Sequence, residues 1–212
     1  TIRTTATATG GDDTITSGTG NDVVLGGAAN DTISIVGGKN IVVGDNGQAD
    51  FDATGILRDI RTQDPSIGGN DTISTGTGND VVLAGASNDT VSTTGGNNVI
   101  LGDNGQANFS ASGVLLDITA TNATIGGADN ITSGAGNDLI IAGTGNDAVT
   151  SGAGNDLIFG DHGHVTGIID LTLLPLNTYT PAFTFTSIAT QNSDLGGNDL
   201  INAGAGDDIV IG

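Results

Sequence analysis

Short apolar stretches punctuate this chain at a fixed step, each preceded by a glycine-rich polar turn. The phrase Ser17-Gly18-Thr19-Gly20-Asn21-Asp22-Val23-Val24-Leu25 returns as Thr75-Gly76-Thr77-Gly78-Asn79-Asp80-Val81-Val82-Leu83. Counted as six turn residues and a three-residue strand, the phrase starts at Ala8, Ser17, Gly26, Ile35 and Gly44, then recurs in later blocks. The centre of each strand is Ile15, Val24, Ile33, Val42, Ile73, Val82, Val91, Ile100, Ile131, Ile140, Val149, Ile158, Ile201 or Val210, always β-branched. A β-branched residue at one strand position, with a turn every nine residues, predicts a coil of short strands that points this side chain inward.

The residues beside that inward position alternate from one half-turn to the next. Thr14 and Thr16, Thr32 and Ser34, Thr72 and Ser74, and Thr90 and Ser92 flank one set. Val23 and Leu25, Ile41 and Val43, Val81 and Leu83, Val99 and Leu101, Leu139 and Ile141, and Leu157 and Phe159 flank the other. One sheet therefore shows water a hydroxyl face, and the other carries a long apolar stripe that needs a cover.

Candidate covers lie in the stretches between the repeats. These carry Phe51, Ile56, Leu57 and Ile60, then Phe109, Val114, Leu115, Leu116 and Ile118, then Leu171, Leu173, Leu174, Tyr179, Phe183 and Phe185 between Ile168 and Ile188. Spacers folding back onto the stripe are the first expectation, and lateral association with another chain is the alternative. Phe51 and Phe109 also fall at the inward strand position of their phrases, so irregular half-turns of the coil are a further reading. Around Pro175 and Pro181 a protruding arm is expected. The chain reads as one continuous array over 1–212, with repeat blocks 8–52, 66–110, 124–166 and a truncated 194–212. Spacers at 53–65, 111–123 and 167–193 separate them, 58–70 residues apart.

Composition narrows what such a coil can do. All 24 acidic residues are Asp, against four Lys and Arg, for a formal charge of -20. That balance disfavours nucleic acid and anionic membrane surfaces, both of which attract basic proteins. With 37 Gly, few aromatics, no Trp and no Met, a conventional large core is not expected, which leaves room for a narrow one built of short aliphatics. No apolar run is long enough to span a bilayer, so membrane insertion is not expected. Zero Cys excludes disulfides and thiolate metal sites. Short-armed Asp suits turns and hard cations.

The sixth turn residue is a carboxylate in most phrases: Asp13, Asp22, Asp31, Asp71, Asp80, Asp89, Asp129, Asp138, Asp147, Asp156, Asp199 and Asp208, with Asn40 and Asn98 as exceptions. Glycines and this Asp at these positions resemble the RTX (repeats-in-toxin) nonapeptide G-G-x-G-x-D-x-U-x, a calcium-binding repeat. The resemblance implies an all-β fold, a parallel β-roll in which two half-turns make one coil and Ca²⁺ lies between stacked turns. Calcium takes six to eight oxygens at about 2.3–2.6 Å. Turns one coil apart would then pair Asp13 with Asp31, Asp22 with Asn40, Asp71 with Asp89, Asp80 with Asn98, Asp129 with Asp147, and Asp138 with Asp156. Turn carbonyls would complete each shell, and the Asp/Asn pairs should bind less tightly. Asp45, Asp103 and Asp161 follow each fourth strand and are expected to complete sites with Asp31, Asp89 and Asp147; an Asx-turn is the plainer reading. About eight to twelve calcium ions are expected; nine, at two charges each, would nearly cancel the formal -20, and folding should depend on them.

Other chemistry is weaker. His162 and His164 are spaced for a transition metal, but they align with Asn46/Gln48 and Asn104/Gln106, so polar turn residues are the better reading. Arg58 and Arg61 align with Leu116 and Thr119 and read as surface residues. No Ser/His/Asp arrangement stands out, and the chain is not expected to be an enzyme. The resemblance points to a calcium-stiffened structural or adhesive segment of a large bacterial surface protein, exported by type I secretion and able to self-associate through its apolar face or spacers. The calcium module of a secreted toxin or hydrolase is the alternative. A less favoured one is ice binding through Thr19-x-Asn21, Thr77-x-Asn79 and Thr144-x-Asn146.

Overall fold

A computed structural model of the chain describes residues 1–169 and 184–212, and among these every regular element is a strand. Three seven-stranded sheets stack in layers. The first, a parallel hydroxyl sheet, contains Thr14–Ser17, Thr32–Ile35, Thr72–Thr77, Thr90–Gly95, Asn130–Thr132, Ala148–Thr150 and Leu200–Asn202 in that spatial order. The second, also parallel, is the middle sheet of Val23–Leu25, Ile41–Val43, Val81–Leu83, Val99–Leu101, Leu139–Ile141, Leu157–Phe159 and Ile209–Ile211. Successive turns of the chain alternate between these two sheets, which makes the repeats a parallel β-roll.

The interior of the roll is one column of inward side chains from each sheet. Ile33, Ile73, Val91, Ile131 and Val149 meet Val24, Val42, Val82, Ile100, Ile140 and Ile158, with Ile15 and Ile201 half-buried at the ends. Strand register keeps like residues stacked: Ile33 pairs with Ile73, and Ile100 with Val82 and Ile140. Stacked β-branched side chains fill a narrow, flat core that bulky aromatics would force open.

The third sheet is antiparallel and pairs each spacer strand with the strand at the end of the repeat block before it, so the hairpins begin earlier than the expected spacer bounds. It contains Ile2–Arg3, Gly47–Phe51, Leu57–Thr62, Gly105–Phe109, Leu115–Ala120, Gly163–Ile169 and Thr184–Thr190. The last six strands form three hairpins, and Ile60, Phe109, Leu115, Ile118 and Val165 pack against Val43, Leu83, Val99, Leu101, Leu139, Ile141, Leu157 and Phe159. The apolar stripe is thus covered by the chain's own hairpins, and the middle sheet is buried on both faces. Phe51 and Phe109 belong to this cover sheet rather than to the roll interior. The arm expected around Pro175 and Pro181, and most of the third set of candidate cover residues, lie outside the described residues.

Each hairpin is an excursion from one turn of the roll. Asp residues that stack directly are 18 residues apart where the coil is uninterrupted, 40 apart across the first two hairpins, and 52 apart across the third. All three hairpins leave from the same edge, between Gly44 and Asp71, Gly102 and Asp129, and Gly160 and Asp199. The base of each is closed by a backbone bond, Gln63 N–H to Asn46 C=O at 2.7 Å and its equivalents from Thr121 and Gln191. Side chains add a clamp: Asn46 Nδ2 donates to the carbonyls of Ile67 and Thr7, and Asn104 Nδ2 to those of Ile125 and Pro65.

Candidate metal centres

Turn residues form two columns, one on each edge of the roll. On the hairpin edge the backbone N–H of Asp13 donates to Asp31 Oδ1 at 2.8 Å, Asp31 to Asp71 at 2.7 Å, Asp71 to Asp89 at 2.7 Å, Asp89 to Asp129 at 2.8 Å, Asp129 to Asp147 at 2.8 Å and Asp147 to Asp199 at 3.0 Å. On the opposite edge the same ladder runs from Asp22 through Asn40, Asp80, Asn98, Asp138 and Asp156 to Asp208. Each pair expected one coil apart is brought together. The ladder also joins residues across the hairpins, a pairing that local spacing leaves open.

The ladder uses only one oxygen of each carboxylate. On the hairpin edge Oδ2 of Asp31, Asp71, Asp89, Asp129 and Asp147 is buried with no hydrogen-bond partner, whereas Asp80, Asp138 and Asp156 on the opposite edge are each helped by a hydroxyl, of Thr75, Ser133 and Ser151. A buried anion without a partner is strongly disfavoured, so such an atom calls for a proton or a cation. Burial raises Asp71, Asp103 and Asp129 to about 8, Asp89 to about 10, and Asp45, Asp138 and Asp147 to about 7; neighbouring aspartates push the same way. Asp31, Asp80 and Asp156 are raised as well, first by burial.

Glycine shapes the space beside the orphan oxygens. A Cβ on Gly44 would collide with both Asp71 Oδ2 and the Ala84 carbonyl oxygen; one on Gly102 would meet Asp129 Oδ2 and the Ala142 carbonyl, and one on Gly26 would meet Asp31 Oδ2 and the Gly44 carbonyl. A carboxylate oxygen and a carbonyl oxygen therefore converge beside a bare Cα, a donor set that suits a hard cation such as Ca²⁺. Among the described residues no three His, Cys, Asp or Glu side chains gather around one point, so a site here relies on backbone carbonyls as well as carboxylates.

Asp45 and Asp103 stand at the hairpin bases. Asp45 accepts N–H bonds from Gly69 at 3.0 Å and Ala86 at 2.5 Å, and Asp103 accepts from Gly127 at 3.0 Å and from Thr144. Asp161 accepts from Gly197 at 2.9 Å. Each carboxylate ties the two stalks of its hairpin together. Asp45 lies near enough to feel the charge of Asp31.

The histidines do not share a site. Buried His162 places Nδ1 at 3.0 Å from the Leu195 carbonyl and Nε2 at 3.0 Å from the Thr144 hydroxyl, in the place of the Asn46 and Asn104 clamps. His164 instead meets Asp117 at 2.7 Å on the cover sheet. Arg61 bridges Asp50 and Asp59, and Arg58 Nε donates to the Phe109 carbonyl at 3.1 Å. Thr19 and Thr77 form no ladder of hydroxyls, because Gly37, Gly95, Ala135, Ala153 and Ala205 stack in the same column.

One set of ladder residues was missed from sequence: the residue before each aspartate. Asn30 Oδ1 accepts the Asn70 N–H at 2.7 Å, Asn70 that of Asn88 at 2.9 Å, and Asn137 that of Asn155 at 2.7 Å. The signal was the recurrent Asn-Asp pair, in which only the Asp was read for its chemistry.

A family model described as RTX calcium-binding nonapeptide repeat (4 copies) matches residues 5–34, 67–100, 124–163 and 193–212, more than half of the chain. No curated protein and no solved structure gives a match.

Proposed function

Since the chain belongs to the RTX calcium-binding nonapeptide repeat family, we propose that it is a calcium-folded structural and adhesive segment of a larger bacterial surface protein, secreted by a type I system. The observation that carries this reading is the row of buried carboxylate oxygens without partners, kept in register along the roll. Bound calcium supplies positive charge and a coordination shell at those oxygens. The residues that would hold it are the two aspartate columns, with Asn40 and Asn98 as weaker donors and Asp45, Asp103 and Asp161 beside them.

The whole chain acts as one array, in which two coils and one hairpin form the repeating module. Such a module lengthens a fibre without changing its cross-section, as nearest-neighbour stacking does in other solenoids. No catalytic role is assigned to it. Among the described residues no helix is long and apolar enough to cross a membrane.

Calcium titration of the chelator-treated chain, followed by far-UV circular dichroism with bound metal counted by elemental analysis, tests the reading. A coil-to-β transition with about eight to twelve ions bound is expected. An unchanged spectrum and no retained calcium would overturn it.

A further inference from the structure

The two edges of the roll differ in ways that the repeat does not require. On the hairpin edge every rung of the ladder from Asp13 to Asp199 is an aspartate, and the first turn residue is Ala8, Gly26, Gly44, Ala84, Gly102, Ala142 or Gly160, none of which can donate a side-chain hydrogen bond. The opposite edge carries its own donors. Ser17 Oγ donates to Asp22 Oδ2 at 2.6 Å, and the amides of Asn40 and Asn98 donate to Asp80 and Asp138, each at 3.0 Å. Lys39 also lies in a turn of that edge.

The glycine-lined cradles sit on the hairpin edge, and three glycines contact a carboxylate across a hairpin base. Gly44 leads into the first hairpin and Asp71 leads out of it; Gly102 and Asp129 flank the second, and Gly160 and Asp199 the third. In each case the outgoing aspartate turns Oδ2 toward the incoming glycine. Asp45 adds another carboxylate to the first base and Asp103 to the second. Without cations, negative charge converges where the two stalks must stay together, and like charges at low dielectric repel strongly. Beyond these bases, the cover sheet is held to the middle sheet by apolar side chains.

We infer that divalent cations on the hairpin edge act as latches: by closing the hairpin bases they hold the cover sheet down on the apolar face of the middle sheet. This rests on the calcium reading proposed above and adds to it an order of events. As calcium falls, the hairpins lift before the roll unwinds, and the bared face of Val81, Leu83, Val99, Leu101, Leu139 and Ile141 becomes available to a second copy of the chain. The opposite edge, with its own hydroxyl and amide donors, holds the coils together meanwhile.

Hydrogen exchange of the full chain, read strand by strand across a calcium titration, separates the two ideas. Amides of Leu57–Thr62 and Leu115–Ala120 should lose protection at a free calcium concentration at least about tenfold higher than amides of Val81–Leu83 and Val99–Leu101, with binding of an apolar-surface dye rising alongside them. Asp71→Asn with Asp129→Asn should move the dye transition to higher calcium, whereas Asp80→Asn should move it little. Gly102→Ala, which fills one cradle without altering charge, should act like the first pair. If cover and roll amides respond at one calcium concentration in the unaltered chain, the latch is wrong while the calcium reading stands. If nothing responds to calcium, both fall.

Discussion

At Asp71, Asp89 and Asp129 one carboxylate oxygen is bonded and the other is sealed from water, so each group is comfortable only when protonated or beside a cation. Their folded pKa values of about 8, 10 and 8 lie above the unfolded value, which is about 3.9. A carboxyl raised in this way stabilises the calcium-free fold fully below about pH 4, and that contribution disappears as pH climbs through the raised values. Protons should therefore substitute for calcium. The metal-free chain is expected to need more urea to unfold at about pH 5 than at about pH 9, with the difference shrinking when calcium is saturating; equal midpoints without calcium would contradict the burial argument. Backbone geometry makes a second prediction. Gly78 has φ +149° and a Cβ there would strike the Gly38 carbonyl, whereas a Cβ on Gly18 would meet nothing within 4 Å. Gly78→Ala should cost about 1–3 kcal/mol or more, and Gly18→Ala less than about 0.5 kcal/mol, both measured by denaturant unfolding in calcium.

Within each element, alternation decides which side chains pack and which meet water, but not which layer they join. Gly47–Phe51 and Gly105–Phe109 share the period of two found in the roll strands, so Phe51 and Phe109 could be read as interior residues of a coil. In the folded chain each strand instead turns back on its neighbour: Ala107 pairs with Ile118, and Ala49 with Ile60, in antiparallel register. The reason is non-local, since these strands find a ready apolar surface in the middle sheet. Ile118 is wholly buried there, while its neighbour Leu116 is 37% exposed on the far side. Ile118→Ala should therefore cost about 2–5 kcal/mol, against less than about 0.5 kcal/mol for Leu116→Ala. Similar losses at the two positions would place the hairpin elsewhere.

For the molecule as a whole, the hairpins are additions to a coil that is already complete. Deleting residues 46–67 would join Asp45 to Gly68 and leave Gly44-Asp45-Gly68-Gly69-Asn70-Asp71, a six-residue turn like Gly26–Asp31. That variant should still gain β-structure on adding calcium, and it should self-associate by light scattering because part of the middle sheet is uncovered; loss of the calcium response would mean that the hairpin is part of the coil. The nine-residue register, the inward column from Ile15 to Ile201 and the aspartates of the turns were legible in sequence, because each depends on alternation and turn chemistry within a few residues. The need for a cover over the apolar strands was equally legible. Its source was not. That the ladder passes from Asp31 to Asp71, that every hairpin leaves from one edge, and that the hairpins join into one antiparallel sheet depend on contacts between residues 40 or more positions apart. A local repeat specifies what a turn can bind, whereas stacking decides which turns face one another, since that choice is made by burial of the middle sheet on both sides.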